Sequence, residues 1–121
     1  MTVSVITEHK MVNTVTPAEL VELMTSQDVD LVDVRERDEW EAGHIEGVRL
    51  VPLEQFRADP DAALTHGRTI VFVCAKGVRS LSAAKLAERF GYENLYNLTG
   101  GTRAWADAGL PIAVEAARVA A

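Results

Sequence analysis

The 121-residue chain has one cysteine, no long apolar run and no cluster of basic residues. Each shortage excludes something. A single cysteine can make neither an intrachain disulfide nor a cysteine-rich zinc site, so a disulfide scaffold and a zinc finger are both ruled out. A membrane-spanning helix needs roughly 18 or more consecutive apolar residues, and no such stretch occurs. With 12 Lys+Arg against 18 Asp+Glu the formal net charge is −6. Phosphate backbones are held by clustered Lys and Arg, so nucleic acid is not an expected partner. Met1 to Lys10 lack a basic start followed by an apolar segment, which predicts no signal peptide. The expectation is a soluble, cytoplasmic protein with no membrane partner.

What is present is enough for a core. A hydrophobic fraction of 48% with 25% charged residues is ordinary globular composition, and a chain of this length buries about two-thirds of its unfolded surface. We expect one domain over residues 14–114, an N-terminal segment at 1–13, and an Ala-rich tail at 115–121 that frays.

Helix and strand signals alternate. Thr16, Pro17 and Glu19 form a helix start, with a hydroxyl cap, proline in the first turn and an acid placed to complete a capping box. Asp30 to Val34 reads as a strand covered on both faces and ending near Arg35. A polar stretch containing Trp40 and Gly43 leads to a second strand around Val48, Leu50 and Val51, closed by Pro52. Helical segments follow at Leu53 to Phe56 and from Asp59. Thr69 to Val73 gives the clearest buried strand, five consecutive β-branched or aromatic residues, and it delivers Cys74 at its carboxyl end. Ser80 to Phe90 is helical, with Gly91 suited to its C-terminal stop. Leu95 to Leu98 reads as a strand, Gly100 and Gly101 as a turn, and Ala104 and Trp105 as part of a short helix. This alternation predicts an α/β fold with a largely parallel sheet.

In such sheets ligands bind beyond the carboxyl ends of strands, where a following helix directs unpaired N–H groups at the site. Cys74 occupies that place. The loop Ala75, Lys76, Gly77, Val78, Arg79 can curl its amides inward, and Lys76, Arg79 and the helix dipole all favour a thiolate. Such surroundings lower a thiol pKa from about 8.5 into roughly 3.5–7.5. A lone cysteine packed as a hydrophobe is the alternative. His44, in its Gly-His-Ile setting, reads as a turn-ordering residue rather than a catalytic base, and His9 and His66 as solvated. Trp105 reads as core or pocket wall.

The segment Cys74 to Ser80 resembles the active-site loop of the rhodanese sulfurtransferases. Asp33, Val34, Arg35, Glu36 with Gly43, His44, Ile45, Glu46, Gly47 resembles that family's early signature, and Leu98, Thr99, Gly100, Gly101 with Ala104, Trp105 its late one. The three motifs stand in register over about residues 16–112. The resemblance implies a three-layer rhodanese-like fold. It implies that Cys74 takes the outer sulfur of a donor such as thiosulfate, becomes a persulfide and yields the sulfur to cyanide, a cellular thiol or a sulfur-accepting protein. Ala75, Lys76, Gly77, Val78, Arg79 and Ser80 are then the anion cradle, with Asp33 and Arg35 supporting the cysteine loop, and no metal or organic cofactor is required. A non-catalytic sulfur carrier or regulatory module of the same family is the alternative. A phosphatase or arsenate reductase of this fold is further away, because those enzymes place five residues between cysteine and arginine and here four lie between Cys74 and Arg79. Two positions depart from the family pattern. Glu39 stands where the two-domain thiosulfate enzymes tend to carry arginine, and Leu50 where asparagine often precedes the Pro-Leu pair.

Overall fold

Thr69–Val73 is the central strand because both its faces must be covered. The computed structural model describes residues 12–114; His9, most of the 1–13 segment and the 115–121 tail lie outside the described residues. In chain order the elements are β1 (Asn13–Val15), α1 (Pro17–Ser26), β2 (Val29–Asp33), α2 (Arg37–Ala42), β3 (His44–Ile45), β4 (Arg49–Leu50), α3 (Leu53–Ala58), α4 (Pro60–Ala63), β5 (Thr69–Val73), α5 (Val78–Arg89), β6 (Leu95–Leu98), α6 (Gly101–Asp107) and β7 (Ile112–Ala113). Five strands form one sheet in the order β1-β6-β5-β2-β4, with every pairing parallel. Helices flank it on both faces, giving the α/β architecture that the alternation predicts. β3 and β7 pair antiparallel as a separate two-stranded ribbon.

The alternation of side chains along β5 divides the core in two. Ile70, Phe72 and Cys74 join Val32, Phe56, Ala83, Ala84, Ala87 and Leu95 on one face. Val71 and Val73 join Leu20, Leu31, Ile45, Leu98 and Trp105 on the other. Ile70 to Val73 are all 0% exposed. This is why the strand reads as a continuous apolar run rather than an alternating one. The same parity carries Cys74 toward α5, the helix that its loop enters.

The capping box of α1 is formed: Glu19 N–H donates to Thr16 Oγ1 at 3.1 Å and Thr16 N–H to Glu19 Oε1 at 2.9 Å. Several boundaries differ from the sequence reading. β2 begins at Val29 and closes at Asp33, although Val34 N–H still donates to Val73 O at 2.9 Å. β4 is only two residues long, although Val51 N–H still donates to Asp33 O at 2.9 Å just before Pro52. The polar stretch around Trp40 is a helix, α2, whose first turn is closed by Glu36 N–H donating to Glu39 Oε1 at 2.9 Å. α5 starts two residues earlier than expected, at Val78, so the helix begins inside the cysteine loop.

Candidate active site

Gly77 precedes α5 with φ of 102°, a left-handed conformation natural to glycine, and offers no side chain to cap the helix. The first N–H groups of any helix lack internal partners. Here Cys74 Sγ takes that role. Ser80 N–H points at it from 3.3 Å, Gly77 N–H from 3.1 Å, and Ser80 Oγ lies 3.2 Å away. The sulfur therefore sits at the positive end of a 12-residue helix, where a negative charge is stabilised.

Two opposed effects act on the thiol. Burial pushes its pKa up, and Cys74 is 1% exposed. Hydrogen bonds from the Ser80 hydroxyl, then from the N–H groups of Ser80, Gly77 and Lys76, outweigh burial and leave the pKa below the ordinary thiol value. The surroundings of the sulfur thus favour the thiolate more than water does. Within the cradle, Ala75, Val78 and Arg79 are not among the sulfur's hydrogen-bond donors. Ala75 serves from behind: Arg103 N–H donates to Ala75 O at 3.0 Å, and Thr102 N–H to Cys74 O at 2.8 Å.

Arg79 has a partner that the sequence did not show. The Arg79 guanidinium is held by Glu39, Nη1 to Oε1 at 2.9 Å and Nη2 to Oε2 at 3.0 Å. Its charge is matched by a carboxylate 40 positions away in the chain, and Cys74 is a further group whose charge raises the Arg79 pKa. Lys76 contributes its backbone N–H to the cradle, while its side chain stands in solvent. The hydrogen bond from Arg79 is the main cause that holds the Glu39 carboxyl at about 2, against the opposing effect of burial. A carboxyl lowered in the folded state contributes stability above its unfolded pKa and loses it as the pH falls through the folded one. The Glu39–Arg79 clasp is thus complete near neutrality; its contribution to stability is lost as the pH falls from about 4.5 toward about 2, where the folded carboxyl takes up its proton.

Asp33 and Arg35 form a buried pair at the end of β2, with Nε donating to both carboxylate oxygens at 3.0 and 3.1 Å and Nη2 to Oδ2 at 2.9 Å. Arg35 Nη2 also donates to Gly43 O at 2.8 Å, at the end of α2. Neither residue hydrogen-bonds residues 74–80 among the described residues. Arg35 holds Gly43 at the end of α2, and Glu39 of the same helix holds Arg79 of the loop. A cavity of about 360 Å³ opens beside the loop, lined by Arg35, Glu39, Ala75, Lys76, Thr102 and Arg103 among others.

His44 is buried, stacks on Trp40 with ring centroids 3.9 Å apart, and places Nδ1 2.7 Å from Trp40 O. It organises the turn after α2. His66 is exposed but lies on the Tyr92 ring at 3.8 Å, a contact the sequence reading lacked. Trp105 is core, with Nε1 donating to Pro111 O at 2.8 Å. The residue that sequence reasoning missed is Asn97. It lies 5% exposed in β6, with Oδ1 against Ser80 Oγ and Nδ2 donating to Gly77 O at 3.0 Å. A lone amide inside the apolar run Leu95, Tyr96, Asn97, Leu98 was its only signal.

A strand-loop-helix that wraps a cysteine sulfur in amides defines a class of cysteine-centred α/β domains, and sequence comparison resolves which one. The family model described as Rhodanese, Rhodanese-like domain, matches residues 16–108. The chain belongs to the rhodanese-like domain family. It is 32% identical over 95 residues to the thiosulfate sulfurtransferase GlpE of Shewanella oneidensis, covering 74% of this chain and 88% of that protein. It is 36% identical over 96 residues to the probable adenylyltransferase/sulfurtransferase MoeZ of Mycobacterium tuberculosis, covering 78% of this chain. That match spans only 24% of MoeZ, so this chain corresponds to about a quarter of that relative. Among solved structures, the rhodanese-related protein of Thermoplasma volcanium superposes with a TM-score of 0.77 at 26% identity, covering 85% of this chain and 99% of that one.

Proposed function

We propose that the protein is a sulfurtransferase, with residues 14–114 as its working domain and Cys74 as the carrier of a persulfide. The observation that carries this reading is the set of N–H and O–H donors around one buried sulfur. In the first half-reaction the Cys74 thiolate attacks the outer sulfur of a donor such as thiosulfate. A sulfur–sulfur bond forms, the donor's own sulfur–sulfur bond breaks, and sulfite leaves with the electron pair. In the second, a thiophilic acceptor such as cyanide or a cellular thiol attacks the terminal sulfur and the Cys74 thiolate departs. The terminal sulfur of the persulfide carries negative charge, and preorganised donors stabilise it without reorganising. The similarity to GlpE supports the same chemistry, and a cytoplasmic setting suits its need for external thiols.

The chain's one cysteine makes the test direct. Intact-mass measurement after incubation with thiosulfate is expected to show a gain of one sulfur atom, removed by cyanide and blocked by prior alkylation. No adduct with thiosulfate, mercaptopyruvate or a persulfide donor would overturn the proposal and leave the non-catalytic module. The short interval between Cys74 and Arg79 speaks against a phosphatase. So does the occupation of Arg79 by Glu39, since such an enzyme needs its arginine for the substrate oxyanion.

Glu39 bears on which donor is preferred. Its carboxylate lines the cavity and matches the one arginine of the loop, which disfavours a dianion. Glu39→Gln removes that charge, and kcat/KM for thiosulfate is expected to rise by about fivefold, corresponding to about 1 kcal/mol for a partly exposed charge. The gain should shrink at high salt. An unchanged or lower kcat/KM would show that Glu39 does not govern donor charge.

A further inference from the structure

We propose that Asn97 is a positioning residue for Cys74, because its side-chain oxygen competes with the sulfur for the single hydroxyl proton of Ser80. The orientation of the amide follows from its neighbours. Gly77 O can only accept, so Nδ2 must face it, at 3.0 Å. That leaves Oδ1, which also only accepts, 2.5 Å from Ser80 Oγ. The same hydroxyl oxygen lies 3.2 Å from Cys74 Sγ. One proton thus has two acceptors whenever Cys74 is a thiolate.

Each state of the sulfur then sets the direction of the hydroxyl. A protonated Cys74 donates its S–H to Ser80 Oγ, and Ser80 donates to Asn97. A thiolate draws the hydroxyl proton to itself and leaves Asn97 Oδ1 without its donor inside a buried site. In the persulfide, on the reading of function above, the charge sits on the outer sulfur, and the hydroxyl is free to return to Asn97. Asn97 therefore disfavours the bare thiolate relative to the states before and after it. Through Gly77 the same side chain fixes the peptide whose N–H faces the sulfur at 3.1 Å. Asn97 and Leu95 share a strand parity, and Leu95 packs in the cluster that contains Cys74, so β6 presents the amide to the α5 side of the sheet.

The test is a double-mutant comparison read by the pH dependence of Cys74 alkylation with iodoacetamide, which requires no sulfur transfer. Asn97→Leu keeps the volume and removes the competing acceptor. It also frees the Gly77 peptide, and that loss is common to both backgrounds. The charged groups around the loop, Arg79 with Glu39, Lys76 and Arg103 at the cavity, and Asp33 with Arg35, are the same in all variants. Asn97→Leu should move the alkylation midpoint to lower pH in the presence of Ser80 by about half a unit more than it does in a Ser80→Ala background, about the weight of one hydrogen bond. Equal shifts in the two backgrounds would overturn the proposal and leave Asn97 as a structural clasp for Gly77. Asn97→Ala gives the same comparison if the leucine variant does not fold. Alkylation remains readable if no persulfide forms, so the failure of this proposal and the failure of sulfur transfer are distinct results.

Discussion

Gly101→Ala is expected to destabilise the protein by about 2 kcal/mol or more and to move the Cys74 thiol pKa back up toward the ordinary value. Gly101 has φ of 62°, where a non-glycine residue costs about 1–2 kcal/mol. A Cβ there would also stand 2.4 Å from Cys74 O and 2.5 Å from Ala75 O. Both are backbone atoms, so no side chain can swing aside. These two carbonyls accept the first N–H groups of α6, from Thr102 and Arg103, and the collision pushes apart the contact that backs the cysteine loop. Gly109→Ala is the control. Its φ of 79° carries the same backbone cost, and nothing lies within 4 Å of the added Cβ. Thermal unfolding should show a clearly larger fall in Tm for Gly101→Ala, and the alkylation midpoint of Cys74 should move only in that variant. Equal losses in the two would mean that the Gly100–Gly101 turn is not what holds the loop.

The parts of this site that were legible in the sequence are those whose causes are local. β5 is a run of β-branched and aromatic residues because both its faces are covered, and that run marks where Cys74 must emerge. The glycine at 77 and the helical pattern after it then place helix N–H groups beside the sulfur. The capping box of α1 is likewise written within four residues. α2 was not legible, because six residues of which only Trp40 and Ala42 are apolar show no helical period. The β3–β7 ribbon joins two-residue strands 69 positions apart in its His44 to Ala113 register, too short for any pattern to reveal. The same holds for charge. Arg79 reads as a cation aimed at the sulfur until the fold brings Glu39 to it. Lys76 reads as its companion, and the fold adds its N–H to the groups around the sulfur while leaving the residue exposed at the cavity. Asn97 becomes meaningful only when β6 is laid beside β5 and its amide meets Ser80 and Gly77 together. Sequence thus placed Cys74 at the end of its strand, and tertiary pairing decides which neighbours surround it.

Asp33→Ala is expected to cost the most of any change considered, about 3–5 kcal/mol, because it leaves the Arg35 guanidinium buried without its counter-charge. Arg35 and Asp33 are 6% and 0% exposed, and the carboxylate accepts every hydrogen bond that Arg35 makes except the one to Gly43 O and accepts Arg35 N–H at 3.0 Å as well. Against a total stability of roughly 5–15 kcal/mol, such a loss is a fifth or more. A buried pair is not in itself strongly stabilising, since both partners give up water, and replacing the two together by apolar residues of similar size is often neutral. Asp33→Leu combined with Arg35→Met should therefore recover most of the stability lost in Asp33→Ala, as measured by denaturant midpoints. Its alkylation profile should differ from that of the natural protein. Without Arg35 the bond to Gly43 O is gone, α2 is held less firmly, and Glu39 is less well placed to occupy Arg79. Arg79 would then act more directly on the sulfur and bring the thiol pKa down. A loss below about 1 kcal/mol in Asp33→Ala would refute the first step. Stability recovered with an unchanged alkylation midpoint would refute the second, and would separate the buried pair from the tuning of Cys74.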